Sequence, residues 1–577
     1  MPVKDFLHSG LCANTKLLDD GTQFSCQENA DKGCGGCHLV QYCSKDCQAA
    51  HWAQHKLFCK SPLGTATWRP AWAVERRPPA FDEPGVSSGA GSASQTYFGR
   101  PDRKENLLGD MPALDLLNLE KNEGSHASQD LSVLSAASGD IRNVVKTIVD
   151  VPNTYTGALT FVVNDSNFDV VARNAILLLT AFNFPPEEAT PIMLHLWYSA
   201  FIPAEILEAV QEKLLPLVDH VCRKIRKRPN NEFSMIWRRG QCSLRLVLQK
   251  GKWFRLRQFF KVPDNMSVQN AMGIRQDTTM AIHKLDSAQR VYYSNPPFWR
   301  VSKLKFREDG IVLPFGSCRA KFNTPNPTLF FESKGWLLPD VADPLEGWCL
   351  EDILVKTPLA KNDLYGALFF YLRDIIFKFC RRVSAMECHI DLFQVRAAYL
   401  PAMAGGPIFD RIELSNLADK EYYGIGHCIG AFGVMLKEKS KNPHATMLTL
   451  FMNAVDGKPK PNNVTKNSLV KKANLERYIP GISELKLSPS PYDPDKFKIV
   501  EGLALLRNPE GQFHRYMQVM EFSKLSEAFE MGIKGVNTIA PKWPLRLREN
   551  ATKAEFDMLL ASAKSGTPRY VEWTQAK

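Results

Sequence analysis

DLSVLSAASGDIRNVVKTIVDVPNTYTGALTFVVNDSNFDVVARNAILLLTAF (Asp130–Phe182) is the stretch that decides the fold. A short apolar run ends at Ser138-Gly139-Asp140, and Ile141, Val144, Val145 and Ile148 then recur at helical spacing. "GALTFVVNDSN" reads as a second buried strand ending at Asn164-Asp165, and "FDVVARNAILLLTAF" as a second helix. Strand, turn, helix, strand, acid, helix predicts the opening of a doubly wound, Rossmann-like α/β sheet.

The pattern returns far downstream. "NDLYGALFFYLRDIIFKFCRRVSA" reads as a long amphipathic helix, "HIDLFQVRA" and "FDRIELSN" as strands, "GIGHCIGAFGVMLKEKS" as a helix and "ATMLTLFMNAV" as another apolar strand. One α/β domain over residues 111–577 is therefore expected, interrupted at about 185–361 by a large, mostly helical insertion. Ligands in such sheets sit beyond the carboxyl ends of the strands. That rule points at Ser138, Gly139, Asp140, Asp165, Ser415 and Asn416. Gly139, Asp140 and Asp165 are the candidate cofactor contacts: a glycine admits a ligand to the backbone, a helix start favours anions, and an acid ending the second strand suits a ribose. The competing reading makes Asp140 a helix cap and Asp165 a turn residue. The layout resembles S-adenosylmethionine-dependent methyltransferases, although their first turn is richer in glycine than this one. That resemblance implies S-adenosylmethionine as cofactor and methyl transfer as the activity. No catalytic residue is assigned.

At the other end of the chain, seven of 14 cysteines fall within the first 59 residues. In "CGGCHLVQYCSKDCQAAHWAQHKLFC" (Cys34–Cys59), two residues separate Cys34 from Cys37, three separate Cys43 from Cys47 and three separate His55 from Cys59. A two-residue spacing lets a tight turn aim both sulfurs at one tetrahedral ion. The last part reads as a helix with Cys47, His51, His55 and Cys59 on one face. With Cys12 and Cys26 the count is seven cysteines and one histidine, enough for two closed zinc tetrahedra. A closed site is structural, since a catalytic zinc keeps an open position. So small a segment can hardly bury enough core alone, whereas zinc in finger peptides contributes roughly 10–16 kcal/mol.

These residues resemble the MYND-type zinc finger in their cysteine ladder and in "YCS", "HW" and "HK". The resemblance implies interleaved ligands: Cys12, Cys26, Cys43 and Cys47 on one zinc, and Cys34, Cys37, His55 and Cys59 on the other. One departure is the 13-residue gap between Cys12 and Cys26. His51 matches the non-ligand histidine of "HW". The family further implies protein recognition, often of proline-rich peptides. Tyr42, Trp52 and Phe58 are the aromatics that either dock such a peptide or pack the finger.

Residues 1–60 thus read as the finger and 61–110 as a Pro/Gly/Ser-rich linker, most flexible from Gly85 to Gln95, with Trp68 and Trp72 pinning its first half. "PALDLLNLEKNEG", "AASGDIRNVVKTI" and "NPHATMLTLFMNAV" resemble fungal MYND-finger proteins. Their α/β region, of unassigned function, is shared with an axonemal dynein assembly factor; this implies architecture, not a reaction. No "NHSC"-like motif supports a SET-type lysine methyltransferase. After Val455 no motif is legible.

The net charge of +11 comes mainly from Cys222–Val262, where Lys and Arg crowd against one acid, Glu232. Trp237, Trp253, Phe254, Phe259 and Phe260 alternate with the bases. Such a pattern can bind single-stranded nucleic acid. It fits better as amphipathic helices with buried aromatics and solvated bases, so nucleic acid is disfavoured; an acidic protein partner is a third option. No apolar run is long enough for a membrane span, and the opening MPVKDFLHSG lacks the long apolar region of a secretory signal, so an intracellular protein is expected, whose clustered cysteines stay reduced. The expected function is zinc-dependent protein recognition by an adaptor rather than an enzyme. The alternative is an S-adenosylmethionine-dependent methyltransferase carrying a recognition finger.

Overall fold

The computed structural model describes residues 3–7, 11–17, 23–82, 107–331, 336–404, 408–455, 473–482, 490–562 and 566–576. The finger comprises two small hairpins, β1 (Thr15–Leu17) with β2 (Gln23–Ser25) and β3 (Lys32–Gly33) with β4 (Gln41–Tyr42), and one helix, α1 (Lys45–Cys59). A short helix, α2 (Ala71–Glu75), follows.

The central sheet begins as the apolar pattern predicts, with β5 (Leu131–Ser135), α3 (Arg142–Asp150), β6 (Leu159–Asn164) and α4 (Phe168–Asn183). In α3 the helical stripe Val144, Val145 and Ile148 is buried. In α4 the Asn167 side chain caps the first turn by accepting from Asp169 N. Next come α5 (Pro186–Tyr198), β7 (Phe201–Ile202), α6 (Ala204–Lys213), α7 (Leu215–Ile225), β8 (Glu232–Arg239), β9 (Cys242–Gln249) and α8 (Lys250–Leu256). Then follow α9 (Val268–Thr279), α10 (Ile282–Tyr293), α11 (Pro297–Asp309), β10 (Thr324–Pro325), α12 (Leu350–Leu354) and α13 (Leu364–Val383). The sheet resumes with β11 (Cys388–Phe393), β12 (Arg411–Glu413), β13 (Thr446–Phe451), β14 (Met531–Ile533) and β15 (Arg569–Gln575).

Nine strands form one mixed, mostly parallel sheet in the order β14-β15-β13-β12-β5-β6-β11-β9-β8. β5, β6, β11 and β9 run parallel, as do β5, β12 and β13. β15 is antiparallel to both its neighbours. From β5 the chain winds outward through β6 to β11, then returns to lay β12 on the other side of β5. The winding reverses between β5 and β12, where Ser135 aligns with Glu413. The two faces feed different cores. Leu131 and Val133 pack with α3, α4, α5 and α13, while Leu134 and Ala136 pack with the helix Ile425–Phe432 and the C-terminal elements.

The expected helical insertion departs from the sequence reading in one respect. The middle of its basic segment, residues 232–249, forms the β8–β9 hairpin and joins the sheet edge, whereas Lys250–Leu256 is helical as expected. The reason is a period of two: Leu244, Leu246 and Leu248 are buried, while Arg245 points outward to pair with Asp391. Gly240, at φ 56°, makes the tight turn. Trp237, Trp253, Phe259 and Phe260 are buried, so these rings pack the core. Among the described residues no helix is long and apolar enough to cross a membrane.

The stretch after the finger is anchored. Trp72 is buried and donates from Nε1 to Tyr492 O at 3.0 Å. Arg77 grips Asp286 with a two-pronged bond of 2.5 and 3.0 Å, and Trp68 lies beneath the Arg300 guanidinium. Gly85–Gln95 lies outside the described residues. The finger itself sits against the body. Asn362 donates from its backbone to His38 O and from Nδ2 to Cys37 O, at 3.0 and 2.7 Å. Phe58 meets Phe315 edge-on at 5.0 Å, and Val301 joins the finger's own core.

Candidate metal centre

The turn Cys34-Gly35-Gly36-Cys37 is closed by His38 N donating to Cys34 O at 2.9 Å. Leu39 N then points at Cys37 Sγ, 3.4 Å away. Ser44 caps α1 by accepting from Cys47 N at 3.1 Å. This fixes the phase of the helix and turns Cys47 towards one cysteine group and His55 and Cys59 towards the other.

The side chains converge in two sets: Cys12, Cys26, Cys43 and Cys47, and Cys34, Cys37, His55 and Cys59. Within each, all donor atoms lie within 4.8 Å of one another. In the first, Sγ–Sγ separations are 3.5 Å (Cys43–Cys47), 3.8 Å (Cys26–Cys43) and 3.9 Å (Cys26–Cys47). In the second, Cys34 and Cys59 are 3.9 Å apart, and His55 Nε2 lies 3.3 and 3.4 Å from Cys34 and Cys37. A regular tetrahedron with Zn–S near 2.3 Å requires sulfurs about 3.8 Å apart, and S–N edges of about 3.6 Å. The sets therefore have the size of zinc tetrahedra. Electrostatics agrees. Burial pushes the Cys12 thiol up to about 12, and the neighbouring Cys34 together with burial raises Cys37 well beyond its ordinary range. Packed this tightly, the thiols cannot all ionise unaided. A divalent cation supplies the missing positive charge.

His51 stands apart from both sets. Its Nδ1 lies 2.9 Å from the Tyr42 hydroxyl, and both residues are buried. One polar contact escapes sequence reasoning: Asn14 Nδ2 donates to Cys47 Sγ at 3.3 Å, supporting a thiolate. Its only signal is a polar residue two places after Cys12. Of the candidate docking aromatics, Tyr42 is buried and Phe58 packs on Phe315 beneath Lys305, while Trp52 is 37% exposed.

The carboxyl end of the sheet is arranged differently. Gly139 and Asp165 meet as expected, Gly139 N donating to Asp165 Oδ2 at 3.1 Å, while Asp165 Oδ1 accepts from Asn167 N at 2.8 Å. Asn174 donates to Gly139 O at 2.7 Å. Gly139 has φ 55°, and a Cβ there would meet nothing within 4 Å, so conformation rather than space demands the glycine. Asp140 turns inward to Arg142 Nη1 at 2.8 Å, and to Gly109 N and Trp197 Nε1 at 3.2 and 3.3 Å. Ser415 takes φ 49° and donates its N–H to Glu413 Oε1 at 2.7 Å. Asn416 follows it in the same turn. Glu413 itself, hidden in the apolar run of "FDRIELSN", was not among the expected residues. Burial pushes its carboxyl up to about 7, against the pull of Ser415, Arg142 and the Ser135 side chain opposite, and among the described residues Oε2 makes no hydrogen bond of normal geometry.

Residues 24–59 match the family model of the MYND finger, and residues 107–202 that of a domain of unknown function, DUF4470. A zinc finger MYND domain-containing protein 10 homolog from Drosophila melanogaster is 52% identical over 40 residues, which cover 7% of this chain and 9% of that protein. No solved structure matches the chain. The two four-donor sets, the spacing of their ligands and these matches together show a chain that carries a MYND-type zinc finger with two zinc-binding groups, followed by a DUF4470 domain.

Proposed function

We propose that this protein is an adaptor whose zinc-stabilised finger recognises a partner protein. Cys12, Cys26, Cys43 and Cys47 hold one zinc, and Cys34, Cys37, His55 and Cys59 hold the other. The observation that carries the reading is closure: four donors converge at each centre, and Cys34, Cys37 and His55 are buried. A site with no open position orders the chain rather than activating water. The finger, residues 1–60, presents Trp52 as its recognition aromatic, the one of three that packing leaves half-exposed. A proline-rich segment suits such a ring because it is preordered and needs only an aromatic face. Reduced thiols in this number fit an intracellular setting. Residues 61–110 tie the finger to the α/β unit of 111–577. The wider likeness to fungal MYND-finger proteins and an axonemal dynein assembly factor supports the same architecture.

Anisotropy with a labelled decaproline peptide tests the reading. Trp52→Ala should weaken binding at least tenfold while both zinc ions stay. Unchanged binding overturns the assignment of Trp52.

A second reading rests on the reversal of winding between β5 and β12, the place where doubly wound sheets hold ligands. It makes the α/β unit an S-adenosylmethionine-dependent methyltransferase, with Gly139 and Asp165 on the cofactor. Asp140, the third residue of that set, is held by Arg142, Gly109 and Trp197. Calorimetric titration with S-adenosylmethionine decides: micromolar binding lost in Asp165→Ala promotes this reading, and its absence removes it.

A further inference from the structure

A cleft of about 1450 Å³ lies between the finger and α13. It exceeds the roughly 300–1,000 Å³ of small-ligand sites, so its size suits a chain segment. One wall is the outer face of α13. Phe370, Arg373, Asp374, Phe377, Lys378 and Arg381 line it, spaced i, i+3, i+4, i+7, i+8 and i+11. That is a single helical stripe. The opposite wall is the β1–β2 hairpin, where Phe24 is 44% exposed.

Charge selects the occupant. Asp374 is already covered by Lys356 at 2.7 Å and Arg373 at 3.2 Å. Among the described residues, Lys378 and Arg381 are exposed and make no ion pair. The α13 wall is thus a basic stripe interrupted by two aromatic rings. Phe370 and Phe377 stand two turns apart, about 10 Å along the helix. The finger side has the opposite character. Cys12 and Cys26 line it, and a zinc held by four thiolates keeps a net negative charge.

We propose that this cleft is a second recognition surface, which takes an acidic segment of a partner protein carrying apolar side chains about 10 Å apart. Carboxylates would face Lys378 and Arg381, while apolar groups would lie on Phe370, Phe377 and Phe24. An amphipathic peptide can separate its charge in this way. A nucleic-acid strand, charged at every nucleotide, would press phosphates against the thiolate wall. The inference rests on the reading of the chain as a recognition factor, but it uses a surface that Trp52 does not line.

The test is an array of twelve-residue peptides varying in charge and apolar spacing, probed with the full zinc-loaded chain. Acidic peptides with apolar residues seven apart should bind at least tenfold more tightly than their glutamine counterparts. The double variant Lys378→Glu, Arg381→Glu should turn the preference towards basic peptides, and Phe24→Ser should weaken binding about tenfold. Two zinc ions per chain in each variant shows that the loss is not unfolding. No preference for acidic peptides, an unchanged preference in the charge-reversed variant, or tighter binding of a labelled twelve-nucleotide single strand overturns the proposal. Loss of acidic-peptide binding in Trp52→Ala overturns it as well. Decaproline binding, measured on the same samples, reports the Trp52 reading separately, so either can fail alone.

Discussion

The finger and the crevice between β5 and β12 both gather polar side chains, and they resolve them in opposite ways. In the finger, seven thiols and one imidazole point at two centres that the chain cannot fill by itself. In the crevice, Asp140 is spent on Arg142, Gly109 and Trp197, and Asp165 on Gly139 and Asn167. The first arrangement demands an outside cation; the second is largely complete without a ligand. Glu413 is the exception: one oxygen accepts from Ser415, and the other, near the Ser135 side chain, makes no hydrogen bond of normal geometry among the described residues. Convergence alone therefore does not mark a binding site. What marks it is convergence left unsatisfied.

The largest effect should come from breaking a zinc set. Cys37→Ser should lower metal content from two ions to about one and unfold the finger. The loss is on the order of 10 kcal/mol, the scale of structural zinc. Metal analysis and circular dichroism check it, and a variant retaining both ions would dissolve the contrast with the crevice. Next is Asp140→Ala. It strands Arg142, whose side chain is only 12% exposed, without its carboxylate. Urea denaturation should show a loss of about 3 kcal/mol or more, as for other broken buried pairs; a loss below about 1 kcal/mol would mean that the crevice is not held by this network.

Glu413 should give a pH signature. Its carboxyl is pushed from 4.5 to about 7 by burial, against the pull of the Ser415 N–H and Arg142. The folded state thus keeps a proton that the unfolded chain gives up. Stability fully present below pH 4.5 should fall as pH rises, the loss being complete just above 7 and totalling about 3 kcal/mol. Glu413→Gln should flatten that slope and be the more stable protein at pH 8. Parallel stability curves for the two proteins would show that Glu413 does not titrate in this window. The smallest effect is His51→Ala, which should keep both zinc ions and cost about 1 kcal/mol, one buried hydrogen bond to Tyr42. Metal loss in that variant would redraw the ligand sets.

Much of this was legible because it is local. Cys34, Cys37, Cys43, Cys47, His55 and Cys59 carry their geometry in their spacing, and the stripes of α3 and α4 carry theirs in period. The basic segment misled only over residues 232–249, because bases and aromatics suit a helix as readily as a strand. The leucines at 244, 246 and 248 held the deciding alternation. Asn14 and Glu413 escaped because nothing nearby in sequence reveals what a side chain will face once distant strands align. β15 was invisible for the same reason: its partners on β13 lie more than a hundred residues upstream.

That placement has a consequence for the chain as it is made. β13 is buried at all six positions, and β15 covers its outer edge. A ribosome adding about 5–20 residues each second needs on the order of ten seconds to go from Phe451 to Arg569. Through that interval a strand reading TMLTLF has one row of backbone donors and acceptors unpaired, the kind of edge that recruits other chains. Whatever shelters this edge during synthesis, a chaperone or the intervening helices, sets how much of the protein reaches its folded form.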